Sequence, residues 1–135
     1  MASAVFKTIS QERTLIIQFS ANEAAMDSEY ETITTGVTNG EDYLLFQRHE
    51  IQGHEDDTGV YIEYQDQSQA GENIVASVTL NRNLLTIILA APLYQRKEIS
   101  SFEVSLNISK EQFLALKQGL ELTFWDRQEQ LIFAQ

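Results

Sequence analysis

Both histidines of the chain, His49 and His54, fall in a ten-residue stretch that also carries Glu50, Glu55, Asp56 and Asp57. Imidazole and carboxylate are suitable ligands for zinc or another divalent ion. The spacing H-x4-H, however, matches neither a helical pair at i, i+4 nor the intervals of a zinc finger, and the segment reads as the exposed tip of a hairpin. Glu55, Asp56 and Asp57 are contiguous, whereas a calcium loop staggers its acids and closes on a glutamate. No metal site is expected. A serine hydrolase would need its nucleophile on a sharp turn, but no G-x-S-x-G occurs, and two histidines in one polar loop suit a triad poorly. Carboxylate pairs such as Glu63 and Asp66 could serve glycosidase chemistry only at a separation that sequence spacing does not supply, and with twenty acids chance pairs are expected. The six glycines, at 36, 40, 53, 59, 71 and 119, are too scattered to cradle a phosphate. The absence of cysteine excludes disulfides, thiolate zinc sites, iron-sulfur clusters and thiol nucleophiles. The expectation is a chain with no catalytic residues and no cofactor, not an enzyme. An enzyme would require a cleft that gathers His49 or His54 with a carboxylate of perturbed pKa.

Charge is more informative. The chain of 135 residues has a formal net charge of −11 and an isoelectric point near 4.4, which argues against binding to nucleic acid or anionic membrane. Residues 22–66 hold twelve acids, Glu23, Asp27, Glu29, Glu31, Glu41, Asp42, Glu50, Glu55, Asp56, Asp57, Glu63 and Asp66, against the single base Arg48, while the remainder of the chain is neutral. If this segment folds onto one face, its field would attract basic partners and speed their encounter. The bland alternative is a solvated, solubilising surface. Most of the aromatic residues read as core. Tyr61 differs: if Val60, Ile62 and Tyr64 face inward, Tyr61 points outward beside Glu63, an aromatic anchor ringed by charge. The candidate partner-contact residues are therefore Glu55, Asp56, Asp57, Tyr61, Glu63 and Asp66.

The elements that position these groups are mostly of period two. Strands are expected over 4–9 and 14–19, with Leu15, Ile17 and Phe19 on one face. Residues 20–41 read as a long polar connection with a short helical turn near 22–26. Strands over 42–48 and 59–65 make a hairpin with an acidic tip, and 66–72 is a second polar connection. A strand over 74–80 turns at Asn81, Arg82 and Asn83, where asparagine tolerates positive φ, into 84–90, a near-continuous apolar run expected to be buried on both faces. The alternation is cleanest over 101–108, where Phe102, Val104, Leu106 and Ile108 share one side. A helix follows over about 109–122, with Ser109 as N-cap, Gln112 completing a capping box and Ile108 stapled to Phe113. Phe113, Leu116 and Leu120 form its apolar stripe, Leu114 lies at the margin, and Gly119 is a weak point or a place of close backbone approach. A last strand is expected within 129–134. The sum is a single α+β domain over 1–135: a mainly antiparallel sheet of about six to eight strands with one principal C-terminal helix packed on it.

The succession of residues 43–48, then 59–68, then Leu80-Asn81-Arg82-Asn83-Leu84, and finally the strand and helix over 102–124 resembles the Immunity protein 10 family, predicted bacterial immunity proteins of polymorphic toxin systems. The resemblance spans about residues 41–124. It implies a small cytoplasmic, non-catalytic protein that masks a cognate toxin domain; the acidic segment, read by itself, points to a basic one. A secretion signal is not evident in residues 1–10, and the longest apolar stretch, 84–93, falls short of the ~20 residues that span a bilayer. The competing class is a small-molecule-binding or structural domain, marked by an enclosed apolar pocket or by a homodimer formed through a sheet edge.

Overall fold

A computed structural model describes residues 13–134. In chain order the elements are β1 (Leu15–Ala21), β2 (Glu23–Glu29), β3 (Thr32–Thr38), β4 (Tyr43–His49), β5 (Tyr61–Tyr64), β6 (Asp66–Glu72), β7 (Val75–Asn81), β8 (Leu84–Leu89), β9 (Ile99–Leu106), α1 (Lys110–Thr123), a 3-10 turn (Gln128–Gln130) and β10 (Leu131–Phe133). The described residues form a single α+β domain of ten strands in two sheets. One sheet is mixed, in the order β1-β9-β8-β7-β10, with β1 parallel to β9 and β10 parallel to β7. The other is an antiparallel meander, β2-β3-β4-β5-β6. Two sheets rather than one, and ten strands rather than six to eight, are the main departures from expectation. The strand expected over 4–9 lies outside the described residues.

Alternation explains how the sheets meet. In the mixed sheet Val78, Leu80, Leu85, Ile87, Phe102 and Val104 face inward, and in the antiparallel sheet Val37, Leu44, Phe46, Ile62 and Tyr64 do so, all in one core. Tyr64 joins them, stacked on Phe19 at 6.4 Å and tilted against Phe102 at 5.2 Å. Burying each of these side chains is worth about 1.5–3 kcal/mol.

The helix starts as its sequence directs: Ser109 Oγ accepts from the Gln112 amide at 3.1 Å, and Gln112 Oε1 accepts from the Ser109 amide at 3.3 Å. Its stripe buries Leu116 and Leu120, while Leu114 is exposed. The helix lies chiefly on β2 and β3, the segment expected to be a connection with a helical turn. That expectation is corrected: 23–38 is a hairpin, turned by Tyr30 and Glu31, both at positive φ (53° and 62°). Gly119 is indeed a close approach, since a Cβ there would stand 2.1 Å from Thr35 Oγ1. Residues 66–72, likewise expected to be a connection, form the edge strand β6, paired with β5.

Two further expectations are corrected. The turn between β7 and β8 contains no residue at positive φ; instead Asn81 Oδ1 accepts from the Asn83 amide at 2.9 Å. The strand β8 is central but buried on one face only, with Leu85, Ile87 and Leu89 inside and Leu84 and Ile88 exposed. Among the described residues no helix is long and apolar enough to cross a membrane.

Candidate functional site

The acidic segment becomes most of one sheet. Side chains of β2–β6 alternate between the core and an outer face, and the strand registers arrange that outer face as rows. Asp27, Thr34, Gln47, Tyr61 and Glu72 form one row across all five strands, and Ala25, Gly36, Leu45, Glu63 and Ala70 the next. Glu29, Thr32 and His49 flank the first row, and Glu23, Thr38 and Tyr43 the second. The edge strand β2 thus presents three exposed carboxylates, Glu23, Asp27 and Glu29, on this face. In the interior of the face, among the described residues, Glu63 is the one carboxylate and there is no lysine or arginine. Two open hollows on it, each of about 230 Å³, lie over Gln47, Tyr61 and Glu72 and over Ala25, Gly36 and Leu45 respectively. An aromatic and apolar centre inside a charged rim has the anatomy of a protein interface.

Tyr61 and Glu63 do share the outer face while Val60, Ile62 and Tyr64 are buried, as alternation predicts. Glu63 is not free, however. It is 8% exposed, accepts a hydrogen bond from the Tyr61 hydroxyl at 2.5 Å on Oε1, and accepts another from the Tyr43 hydroxyl on Oε2. Burial first, and then the hydrogen bond to Glu63, pushes the Tyr43 phenol up to about 12. The same two causes in the same order raise Tyr61. These phenols therefore donate throughout the neutral range and hold the Glu63 carboxylate in one orientation.

Asp57 was expected to stand on the acidic tip and instead points inward. Its side chain is 5% exposed beside Arg48 at 3%. Arg48 Nε donates to Asp57 Oδ1 at 3.0 Å and an η nitrogen donates to Asp57 Oδ2 at 3.0 Å. The other η nitrogen donates to Asp126 Oδ1 at 2.8 Å and to the Thr123 carbonyl at 3.0 Å. The one base of the acidic segment thus satisfies an orphan carbonyl at the end of α1, where the helix has no basic residue of its own. Burial alone would lower the Arg48 pKa, but the hydrogen bonds to Asp126 and Asp57 outweigh it and the net shift is upward. The Arg48 guanidinium holds Asp57 and Asp126 below the usual carboxylate range.

The loop 50–60 straddles the end of β4. Asp57 meets Arg48 on the inner side, and His54 stacks on His49 on the outer side, with ring centroids 4.5 Å apart and planes 9° from parallel. Each Nδ1 accepts a backbone amide, from Ile51 at 3.1 Å for His49 and from Asp56 at 3.1 Å for His54, so each ring nitrogen nearest its own loop is engaged in shaping it. His49 Nε2 lies 3.8 Å from Glu31, and His54 Nδ1 lies 3.8 Å from Asp56. Among the described residues no three acids or histidines are grouped to hold a metal ion.

Of the six expected contact residues, Tyr61 and Glu63 are brought together on the outer face and Asp57 is turned into the fold. Glu55, Asp56 and Asp66 remain exposed, Asp66 at the turn between β5 and β6. The rim acids Glu23, Asp27 and Glu29 were not among the expected contacts. Their alternation with Ala24 and Met26 was the available signal, and it is weak because alanine marks no face strongly. Compared with protein-family models, with curated proteins and with solved structures, the chain matches none.

Proposed function

We propose that the chain is a non-catalytic binding protein of the immunity type, whose acidic sheet face masks a basic toxin domain. The observation that carries this reading is the placement of charge: carboxylates of β2, β5 and β6 on one outer face, with Arg48, the only base among residues 22–66, turned into the core. Tyr43, Tyr61 and Leu45 would anchor the partner at the centre of that face, while Glu23, Asp27, Glu29, Asp56 and Asp66 steer it. The resemblance to the Immunity protein 10 family supplies the kind of partner, and nothing in such a masking role requires chemistry. A small-molecule reading is less well supported, because the hollows of this face are open and only about 230 Å³ each, and those beside Arg48 and Trp125 and beside Gln18 and Leu84, though about 390 Å³, are open depressions rather than enclosed apolar pockets.

The test is capture from the native lysate on the tagged full chain, under conditions that express the partner, at about 50 mM and about 500 mM salt. The expected result is a toxin-module protein of basic isoelectric point, retained at low salt and weakened at high salt. Once the partner is in hand, the combined variant Glu23→Gln, Asp27→Asn, Glu29→Gln should slow association by about three- to tenfold at low salt and flatten its salt dependence. Asp57 is left out of such a series, since replacing it would test the fold. Recovery of the chain alone, or association indifferent both to salt and to the triple variant, would overturn the assignment.

A further inference from the structure

The correction at β8 exposes a second surface, independent of the acidic one. On the outer face of the mixed sheet the registers place Ile16, Ser101, Ile88 and Ser77 in one row, then Gln18, Glu103, Thr86, Thr79 and Ile132, then Ser20, Ser105, Leu84 and Asn81. The face is five strands wide, and neither α1 nor the other sheet lies on it. Ile16, Ile88 and Ile132 are 49%, 48% and 48% exposed and Leu84 36%. Only one position in the three rows is charged, Glu103, and Gln18 Nε2 donates to it at 2.6 Å. Short hydroxyl side chains fill most of the rest.

We infer that this face packs against the same face of a second copy, forming a back-to-back dimer that leaves both acidic sheets outward. Charge placement selects the occupant. A chain of net charge −11 repels its own kind wherever the acidic sheet takes part, and the mixed sheet is the side where two copies meet almost without charge. Stacked sheets lie about 10 Å apart. The order acidic, mixed, mixed, acidic therefore separates the two acidic sheets by about 30 Å, several times the ~8 Å Debye length at physiological salt. Face-to-face packing of two twisted sheets rotated by about 30° is an ordinary arrangement, and serine and threonine between the isoleucines keep the approach close. The contact is small. Five strands about 4.8 Å apart and about six residues long give a geometric footprint of roughly 480 Å² per copy, against about 800 Å² of accessible area per partner in a stable complex. A weak, readily dissociating dimer is what so small a contact supports. The inference stands whether or not the acidic face binds a toxin, and if it does, the dimer is bivalent.

The experiment is sedimentation velocity of the full chain from about 1 µM to about 500 µM at 0.15 M salt, with the dissociation constant fitted to the monomer–dimer shift. Ile88→Lys, at a half-exposed position that the fold does not need, should weaken the dimer at least tenfold. Glu103→Gln, which removes the one charge that two copies would bring together, should tighten it severalfold. A triple change of Glu23, Asp27 and Glu29 to neutral amides should leave the back-to-back contact unchanged, which separates this result from that of the acidic face. A chain that stays monomeric to about 500 µM overturns the proposal. So does a dimer indifferent to Ile88→Lys.

Discussion

Asp57 and Glu63 stand six residues apart, and both carboxylates are withdrawn from water by opposite means. Asp57 is held by a guanidinium that also binds Asp126 and the end of α1. Glu63 is held by two phenols, and among the described residues no lysine, arginine or histidine pairs with it. The first arrangement cancels a charge and ties β4, the loop 50–60 and the helix together. The second solvates a carboxylate without cancelling it, on the face that carries the rim acids. A run of acids in a sequence can thus contain charges that belong to the fold beside charges that belong to the surface field, and the partner of each carboxylate decides which it is.

Breaking the first arrangement has the larger effect. Arg48→Met should destabilise the protein by about 3–5 kcal/mol in urea unfolding, because Asp57 stays buried without its cation, keeping only the Gly59 amide at 3.0 Å, and the Thr123 carbonyl loses its donor. A loss below about 1 kcal/mol would mean that water replaces the guanidinium, and the clamp would then be incidental.

The acid limb of stability comes next. Asp57 and Asp126 have folded pKa values held below the ordinary carboxylate value by Arg48. A depressed folded pKa contributes stability that is present above the unfolded value near 4 and is lost as pH falls through the lower folded values. Stability should therefore hold above about pH 4 and decline below it, with the acid-side slope much reduced in Arg48→Met. Denaturation curves at successive pH values measure it, and equal slopes in the two proteins would remove Arg48 from the explanation.

How much of this was legible beforehand differs by region, for physical reasons. β9 and α1 were readable because Phe102, Val104 and Leu106 alternate with polar residues and because Ser109 and Gln112 form a cap whose chemistry is local. The outward placement of Tyr61 and Glu63 followed from the same period-two logic. β2 and β3 were missed because the helix approaches them at Gly119, which sets Thr35 and Met26 beside it, and because Ile33 and Val37 in β3 and Met26 in β2 are too few large apolar residues to stand out among the threonines and acids. Their turn, Tyr30-Glu31, adopts positive φ without glycine or asparagine, which left no turn signal. In β8 a continuous apolar run suggested two covered faces, whereas Leu84 and Ile88 are exposed. The inward turn of Asp57 depends on Arg48 nine residues earlier and Asp126 at the far end of the chain, a juxtaposition that no local pattern encodes.

The smallest expected effect tests the second arrangement. In Glu63→Gln the amide can still meet both phenols, one as acceptor and one as donor, so the fold should lose only about 1 kcal/mol. What changes is the charge beside the phenols. Tyr43, raised to about 12 by burial, by its hydrogen bond to Glu63 and by the charge of that carboxylate, should titrate closer to 10 in the variant, and Tyr61 should move in the same direction. A raised folded pKa contributes stability that is fully present below the unfolded value near 10 and is lost as pH rises through about 12. The alkaline limb of the variant should accordingly be shallower. Ultraviolet titration of tyrosinate absorbance follows both phenols directly. If Tyr43 and Tyr61 ionise in Glu63→Gln as they do in the parent protein, burial alone sets their pKa values, and Glu63 would then contribute no field at the centre of the acidic face.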